Sequence, residues 1–392
     1  MANPGYPSFN FGEPTLDRVQ CADQNLQCEM KYERVGRDDR GKGEINIDQA
    51  ISQIKSADVL VIHPAMTALE RKNSQKELLS KLIKNYRSPE QLITFFQIES
   101  PALIYNDMTA FNGIFNKTVT YRRDSDYIGN FPFPTRELFG WLKTRAIETL
   151  PQKKYGVLAV ISNCDSVYRN KLVSDLTPLL KLDNGTLSLD LLGKCSVKEQ
   201  IGRSEDSETR LKQSGLLKHL ANKNNDVPYG EYKFYLSFEN ARCKGYISEK
   251  FLNPIRIGTV PIVAGAPRED YEKIVPGGAF IHVDDFESVE KLADHINFLV
   301  GNDEAYFEYF DWWRTDNLTE WSRLYEAKQF WNGGKSGDSV WCDVCRDAYE
   351  ARQGKLVQPA ITDMQGWWNG HESQDCHGAG TQDSGAPLES LE

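Results

Sequence analysis

Two series of short, wholly apolar runs alternate with stretches of helical spacing, and no other feature of this 392-residue chain limits its fold as much. The first series begins at Asn46. Ile47, Ile51 and Ile54 keep helical spacing, DVLVIHP (Asp58 to Pro64) reads as a buried strand, Gln75 to Asn85 as a helix, and LITFFQIES (Leu92 to Ser100) as a second strand. The second series holds strands at Gly156 to Asn163, Leu187 to Leu192, Tyr232 to Asn240, Thr259 to Gly265 and Ala279 to Val283. Helices near Tyr168 to Lys181, near Thr209 to Ala221, from Tyr246 and over Val289 to Val300 separate or follow them. Strands that are apolar on both faces must be covered on both, which parallel sheets between helix layers achieve. The expected fold class is therefore α/β, with two doubly wound domains. Ligands of such sheets sit beyond the carboxyl ends of the strands, so a two-domain version places its substrate in the cleft between the halves.

These patterns divide the chain into an irregular lead-in over 1–45, α/β domains over 46–150 and 151–310, a helix and cysteine-containing return segment over 311–376, and a tail over 377–392. Pro4, Gly5, Pro7, Gly12 and Pro14 interrupt regular structure in the lead-in, and the polar, acidic tail reads as disordered. With 46 basic against 56 acidic side chains the net charge is -10, which removes the electrostatic basis for nucleic-acid binding. A 40% apolar content is enough to drive folding over most of the length. No apolar run approaches the roughly 20 residues that span a bilayer.

MANPGYPSFNFGEPT lacks the basic region and apolar stretch of a signal peptide. The chain is thus either cytosolic or without its targeting segment. Sequons at Asn116, Asn184 and Asn317 and an even count of eight cysteines favour a secretory-pathway lumen and a missing segment.

YKFYLSFENARCKGYISEKFLNPIRIGTVPIV (Tyr232 to Val263) is the most informative stretch. An apolar strand ends in Ser237, Glu239 and Asn240, turns at Gly245 and enters a helix whose first turn carries Glu249 and Lys250. A helix N-terminus presents free N–H groups and partial positive charge, and a lysine there completes an anion site. The alternative is a capped surface helix with a solvated Lys250. Asp124-Ser-Asp126 has a spacing that can hold a divalent ion with substrate phosphates, but Arg122 and Arg123 beside it favour an Arg–Asp structural network. Glu99, at the end of an apolar strand, is either a general base at the mouth of a cleft or a strand-end acid meeting water before Pro101. Hydrolytic zinc chemistry has no motif to support it.

Four segments in order, IESP (Ile98 to Pro101), FNKTVTYRRDSD (Phe115 to Asp126), VISNC (Val160 to Cys164) and SFENARCKGYISEKF (Ser237 to Phe251), resemble the α-1,3-fucosyltransferases. The likeness continues through Thr259 to Phe286 and covers about Asp58 to Cys345. It implies a GT-B arrangement, two Rossmann-like domains facing across a cleft, the first on the acceptor side and the second binding GDP-fucose. ISNC, the cysteine of ENARC and MQGWWNGHESQDC (Met364 to Cys376) are similar to enzymes that fucosylate the innermost N-glycan GlcNAc. Core α-1,3-fucosylation is favoured on that ground; antennal Lewis-type transfer and an inactive glycan-binding relative are the alternatives.

The resemblance also implies roles. Glu99 takes the proton from the acceptor 3-hydroxyl in an inverting displacement, and Lys250 and Arg169 meet the diphosphate. Tyr246 and Glu249 line the ribose and fucose, Asn240 the phosphate–fucose region, and Ser162 and Asn163 border the donor. No metal is essential, although Mn²⁺ could stimulate; a metal-dependent transferase using Asp124 and Asp126 is a further alternative. Partners are GDP-fucose and N-glycan acceptors on glycoproteins, with the Golgi lumen as the location and membrane attachment only through an anchor outside this chain. The same family pattern implies disulfides Cys21–Cys342 and Cys28–Cys345, with Cys164–Cys243 plausible because both follow strand ends. A four-cysteine zinc site is the competing use of Cys21, Cys28, Cys342 and Cys345. Pro254 departs from the pattern: inside a regular helix it costs about 3 kcal/mol, so a kink or early end is expected there.

Overall fold

Leu92–Gln97, with six consecutive buried residues LITFFQ, is an interior strand of the four-stranded sheet in one half of the chain, and Tyr232–Phe238, with seven, YKFYLSF, is the central strand of the five-stranded sheet in the other. The computed structural model describes residues 15–19, 21, 26, 28–32, 45–63, 73–103, 107–128, 153, 155–164, 166–180, 189–193, 195, 229–256, 258–313, 340–355, 359–369 and 376–377. The chain divides into two compact units, residues 1–135 with 326–376, and residues 136–325 with 377–392.

In the first unit β1 (Thr15–Val19) and β2 (Cys28–Tyr32) pair antiparallel, so the lead-in is not irregular throughout. α1 (Ile47–Ser56) is capped by Asn46, whose side chain accepts from the N–H of Gln49. It is followed by β3 (Val59–Ile62), α2 (Asn73–Tyr86), β4 (Leu92–Gln97), β5 (Lys117–Thr120) and β6 (Tyr127–Ile128). The four strands β3 to β6 lie side by side in chain order and run parallel.

The second unit holds β7 (Tyr155–Val160), α3 (Val167–Leu176), β8 (Leu189–Leu192), β9 (Tyr232–Phe238), α4 (Glu249–Arg256), β10 (Val260–Ala264), β11 (Ile281–His282) and α5 (Val289–Gly301). Its five-stranded sheet is wholly parallel, in the order β11-β10-β9-β7-β8. Counted from β7, this is the doubly wound order 2-1-3-4-5, whose winding reverses between β7 and β9. The helix read over Thr209 to Ala221 and most of the tail lie outside the described residues.

The C-terminal return is part of the first unit. Phe95 and Phe96, neighbours on β4, point to opposite faces of its sheet. α6 (Val340–Arg352) packs on one face, with Trp341 edge-on to Phe96 at 5.3 Å, and α7 (Met364–Asn369) reaches the other, with Trp368 at 4.9 Å from Phe95. Disulfides Cys21–Cys342 and Cys28–Cys345 join the beginning of the chain to α6. With these sulfurs bonded in pairs, the zinc alternative has no thiolates.

Cys164 is bonded to Cys195, not to Cys243. The sheet register explains the correction: Val160 lies opposite Leu192 on the neighbouring strand, so the segments leaving β7 and β8 emerge side by side. Gly193 lets them touch, at φ +96°, where a Cβ would stand 2.3 Å from the carbonyl oxygen of Ile161. Cys243 is also disulfide-bonded, to another cysteine.

Candidate functional site

In sheets of this order ligands bind beyond the carboxyl ends of the strands that flank the reversal, here β7 and β9, and the segments leaving these two strands carry polar residues. Beyond β7, Ser162 and Asn163 are exposed, and Ser166 caps α3 by accepting from the N–H of Arg169. Arg169 is only 1% exposed; its Nη2 donates to the carbonyl of Asn163, while its Nε has no hydrogen-bond partner among the described residues. Burial lowers the guanidinium pKa, and the nearby Glu239 charge opposes that shift.

Beyond β9 stand Glu239 and Asn240. A turn through Gly245, at φ +74°, brings the chain back past buried Tyr246 and Ser248 into α4. The helix begins at Glu249 rather than Tyr246, which still places Glu249 and Lys250 in its first turn. Glu239 is fully buried: Oε1 accepts from the Ser248 N–H at 2.7 Å, and Oε2 from Ser248 Oγ at 2.8 Å and Lys250 Nζ at 3.2 Å. Burial pushes the Glu239 carboxyl up. For Lys250 burial acts against the charge, but the Glu239 and Glu249 carboxylates outweigh it and hold the ammonium above its usual range.

α4 runs through Pro254 to Arg256 instead of ending at it. A proline cannot donate to the carbonyl four residues back, here that of Lys250. Ser237 Oγ donates to that oxygen at 2.8 Å, which satisfies the group the proline leaves bare.

Seven of the expected residues, Ser162, Asn163, Arg169, Asn240, Tyr246, Glu249 and Lys250, thus belong to the segments that leave β7 and β9. Arg169 Nε, Asn240 Oδ1 and Glu249 Oε2 are buried without a hydrogen-bond partner among the described residues. Buried polar atoms of this kind are positions that a water, an ion or a ligand can complete. Two cations beside polar atoms at a sheet switch point and two helix N-termini form a site suited to a phosphorylated ligand.

A family model described as the C-terminal part of glycosyltransferase family 10 (fucosyltransferase) matches residues 150–367, and one described as the N-terminal part of fucosyltransferases matches residues 16–131. The chain belongs to this fucosyltransferase family. Among its relatives are glycoprotein 3-alpha-L-fucosyltransferase A of Drosophila melanogaster (31% identical over 65% of this chain and 43% of the relative) and alpha-(1,3)-fucosyltransferase 7 of Rattus norvegicus (34%, over 70% and 62%). A third is 4-galactosyl-N-acetylglucosaminide 3-alpha-L-fucosyltransferase 9 of Rattus norvegicus (29%, over 64% and 60%). The chain therefore spans less than two thirds of the length of these fucosyltransferases.

Glu99 belongs to the first unit, half-buried just beyond β4, and its N–H donates to Gln97 Oε1 at 2.9 Å. The Asp124 and Asp126 carboxylates are both engaged. Arg122 grips Asp124 with two hydrogen bonds of 2.8 Å, and Asp126 accepts from the Thr118 N–H and hydroxyl, each at 2.9 Å, with Lys117 at 3.7 Å. The Arg–Asp network is present at Asp124, whereas Asp126 is held by threonine and lysine.

Asn116 has a structural role: its Oδ1 accepts from the Ile93 N–H at 2.8 Å, and the sequon's Thr118 is buried in β5. Asn184 and Asn317 lie outside the described residues. Sequence alone does not single out Glu239 and Ser248 as site residues: Glu239 shows only as the polar end of an apolar strand, which an ordinary strand terminus shares, and Ser248 only as the residue before a helix.

Proposed function

We propose that this fucosyltransferase-family chain transfers L-fucose from GDP-β-L-fucose to the 3-hydroxyl of a GlcNAc, with inversion and without an essential metal. The observation that supports this best is the switch-point cluster of the second unit, where the segments leaving β7 and β9 carry Arg169 and Lys250 together with three buried polar atoms, Arg169 Nε among them, that lack hydrogen-bond partners among the described residues. In this reading Lys250 and Arg169 bind the diphosphate and stabilise the charge that GDP gains as it leaves, the larger electrostatic contribution. Asn240, Tyr246 and Glu249 hold the ribose, phosphate and fucose, Ser162 and Asn163 border the donor, and Glu99 of the first unit takes the acceptor proton. Mn²⁺ has no essential part and at most stimulates.

The acceptor we propose is the core GlcNAc of N-glycans on glycoproteins, with the Golgi lumen as the place of action. The Drosophila relative, named for glycoprotein fucosylation, supports this. A relative named for 4-galactosyl-N-acetylglucosaminide acceptors supports antennal transfer as the second reading. Incubating the purified protein with GDP-fucose and a biantennary glycopeptide, then locating fucose by mass spectrometry, separates the two. Fucose on the innermost GlcNAc is expected; fucose on an antenna supports the second reading, and GDP-fucose left intact with every acceptor refutes both.

A further inference from the structure

We propose that Glu239 is a positioning residue of this site, fixing the Lys250 ammonium at the carboxyl end of β9 so that a nucleoside diphosphate meets a cation already in place. The inference rests on the reading of the switch-point cluster as a nucleoside-diphosphate site.

Glu239 is 0% exposed, and a buried carboxylate is costly unless it is fully bonded. Its two oxygens accept from Ser248 N, Ser248 Oγ and Lys250 Nζ, and Lys250 Nζ donates again to Ser248 Oγ at 2.9 Å. The acid itself is held rigidly. Its N–H donates to the Ala264 carbonyl at 2.8 Å, and Gly265 lies so close that an added Cβ would stand 2.8 Å from the Glu239 Cβ. Ser237, two residues earlier on β9, bonds the Lys250 carbonyl. One strand end therefore grips both the main chain and the ammonium of Lys250.

A lysine has a long, flexible stem, and fixing it costs rotamer entropy. With Glu239 in place that loss occurs during folding rather than on ligand binding, which is the advantage of a preorganised site. An apolar side chain would fill the same volume without desolvating a charge. What it could not do is aim an ammonium. The charges that act on Lys250 are Glu239 from β9, Glu249 from its own helix and Arg169 from α3.

The test compares GDP with guanosine, which lacks the diphosphate, by isothermal titration on the wild type, Glu239→Gln and Glu239→Asp across alkaline pH. The proposal expects Glu239→Gln to bind guanosine normally and GDP at least about tenfold more weakly, the size of a charge-assisted hydrogen bond. It also expects the alkaline loss of GDP affinity to move to lower pH, because Lys250 no longer faces that carboxylate. Glu239→Asp, which keeps the charge, should fall between the two. A GDP-to-guanosine ratio and alkaline limb unchanged in Glu239→Gln overturn the proposal. If Glu239→Gln also loses guanosine, its site has not folded and Glu239→Asp decides: weakened GDP with intact guanosine supports positioning, and unchanged GDP refutes it. A wild type that binds no GDP refutes instead the nucleotide reading underneath.

Discussion

The hydroxyl of Ser237 donates to the carbonyl oxygen of Lys250 at 2.8 Å, and that oxygen is the one from which Pro254 withholds a helical N–H. A proline that sequence rules count as a helix breaker is thus accommodated by a hydroxyl from the neighbouring strand. The same bond ties the first turn of α4, with its lysine, to β9.

Ser237→Ala should therefore destabilise the protein by about 1–2 kcal/mol, the cost of leaving that carbonyl unpaired. Pro254→Ala restores a donor to the same oxygen, so Ser237→Ala should cost clearly less in that background. Urea unfolding of the four proteins of this double-mutant cycle measures the difference. Equal costs in both backgrounds would refute the compensation.

Burial lowers the pKa of His63, at the carboxyl end of β3 and edge-on to Phe96, from 6.5 to about 4. The folded state then binds fewer protons than the unfolded one between those values. Its contribution is complete above pH 6.5 and is lost as pH falls toward 4, by about 3 kcal/mol at most. Chemical unfolding measured from pH 7 to pH 4 should show this loss, and His63→Gln should flatten it. A variant with the wild-type slope would exclude His63 as its source.

How much of this was legible in the sequence depended on whether a residue's role is local. β4 and β9 announced themselves because a strand covered on both faces is apolar at every position, and α1 because Ile47, Ile51 and Ile54 repeat along one helix face. β1, TLDRV, does not alternate, and β2, CEMKY, alternates strictly but over only five residues, too few to stand out. Lys250 was visible because a helix start after a strand end can form an anion site, and Arg169 only through the family resemblance. Glu239 was not, because its importance lies in contacts with Ser248 and Lys250 that only the turn through Gly245 creates. Cys195 was missed as the partner of Cys164 because strand register, not spacing, brings the two together.

Asn116 provides a test of the first unit. Asn116→Gln, the usual way to remove a sequon, moves the amide oxygen away from the Ile93 N–H. It should lower stability by about 1–2 kcal/mol even in protein made without glycosylation. A thermal midpoint equal to that of the wild type would show that the bond contributes nothing.

Disulfide mapping by proteolysis under non-reducing conditions should recover Cys164 linked to Cys195. Replacing both with serine should cost about 3.7 kcal/mol, the loop-closure figure for a separation of 31 residues. A peptide joining Cys164 to Cys243 would contradict the register of β7 and β8.

Hydrogen–deuterium exchange with and without saturating GDP tests most directly whether the switch-point cluster is the nucleotide site. Slower exchange is predicted at residues 161–170 and 239–250, which leave β7 and β9 and carry Arg169 and Lys250. Unchanged exchange in both segments, with protection elsewhere or nowhere, would contradict the account.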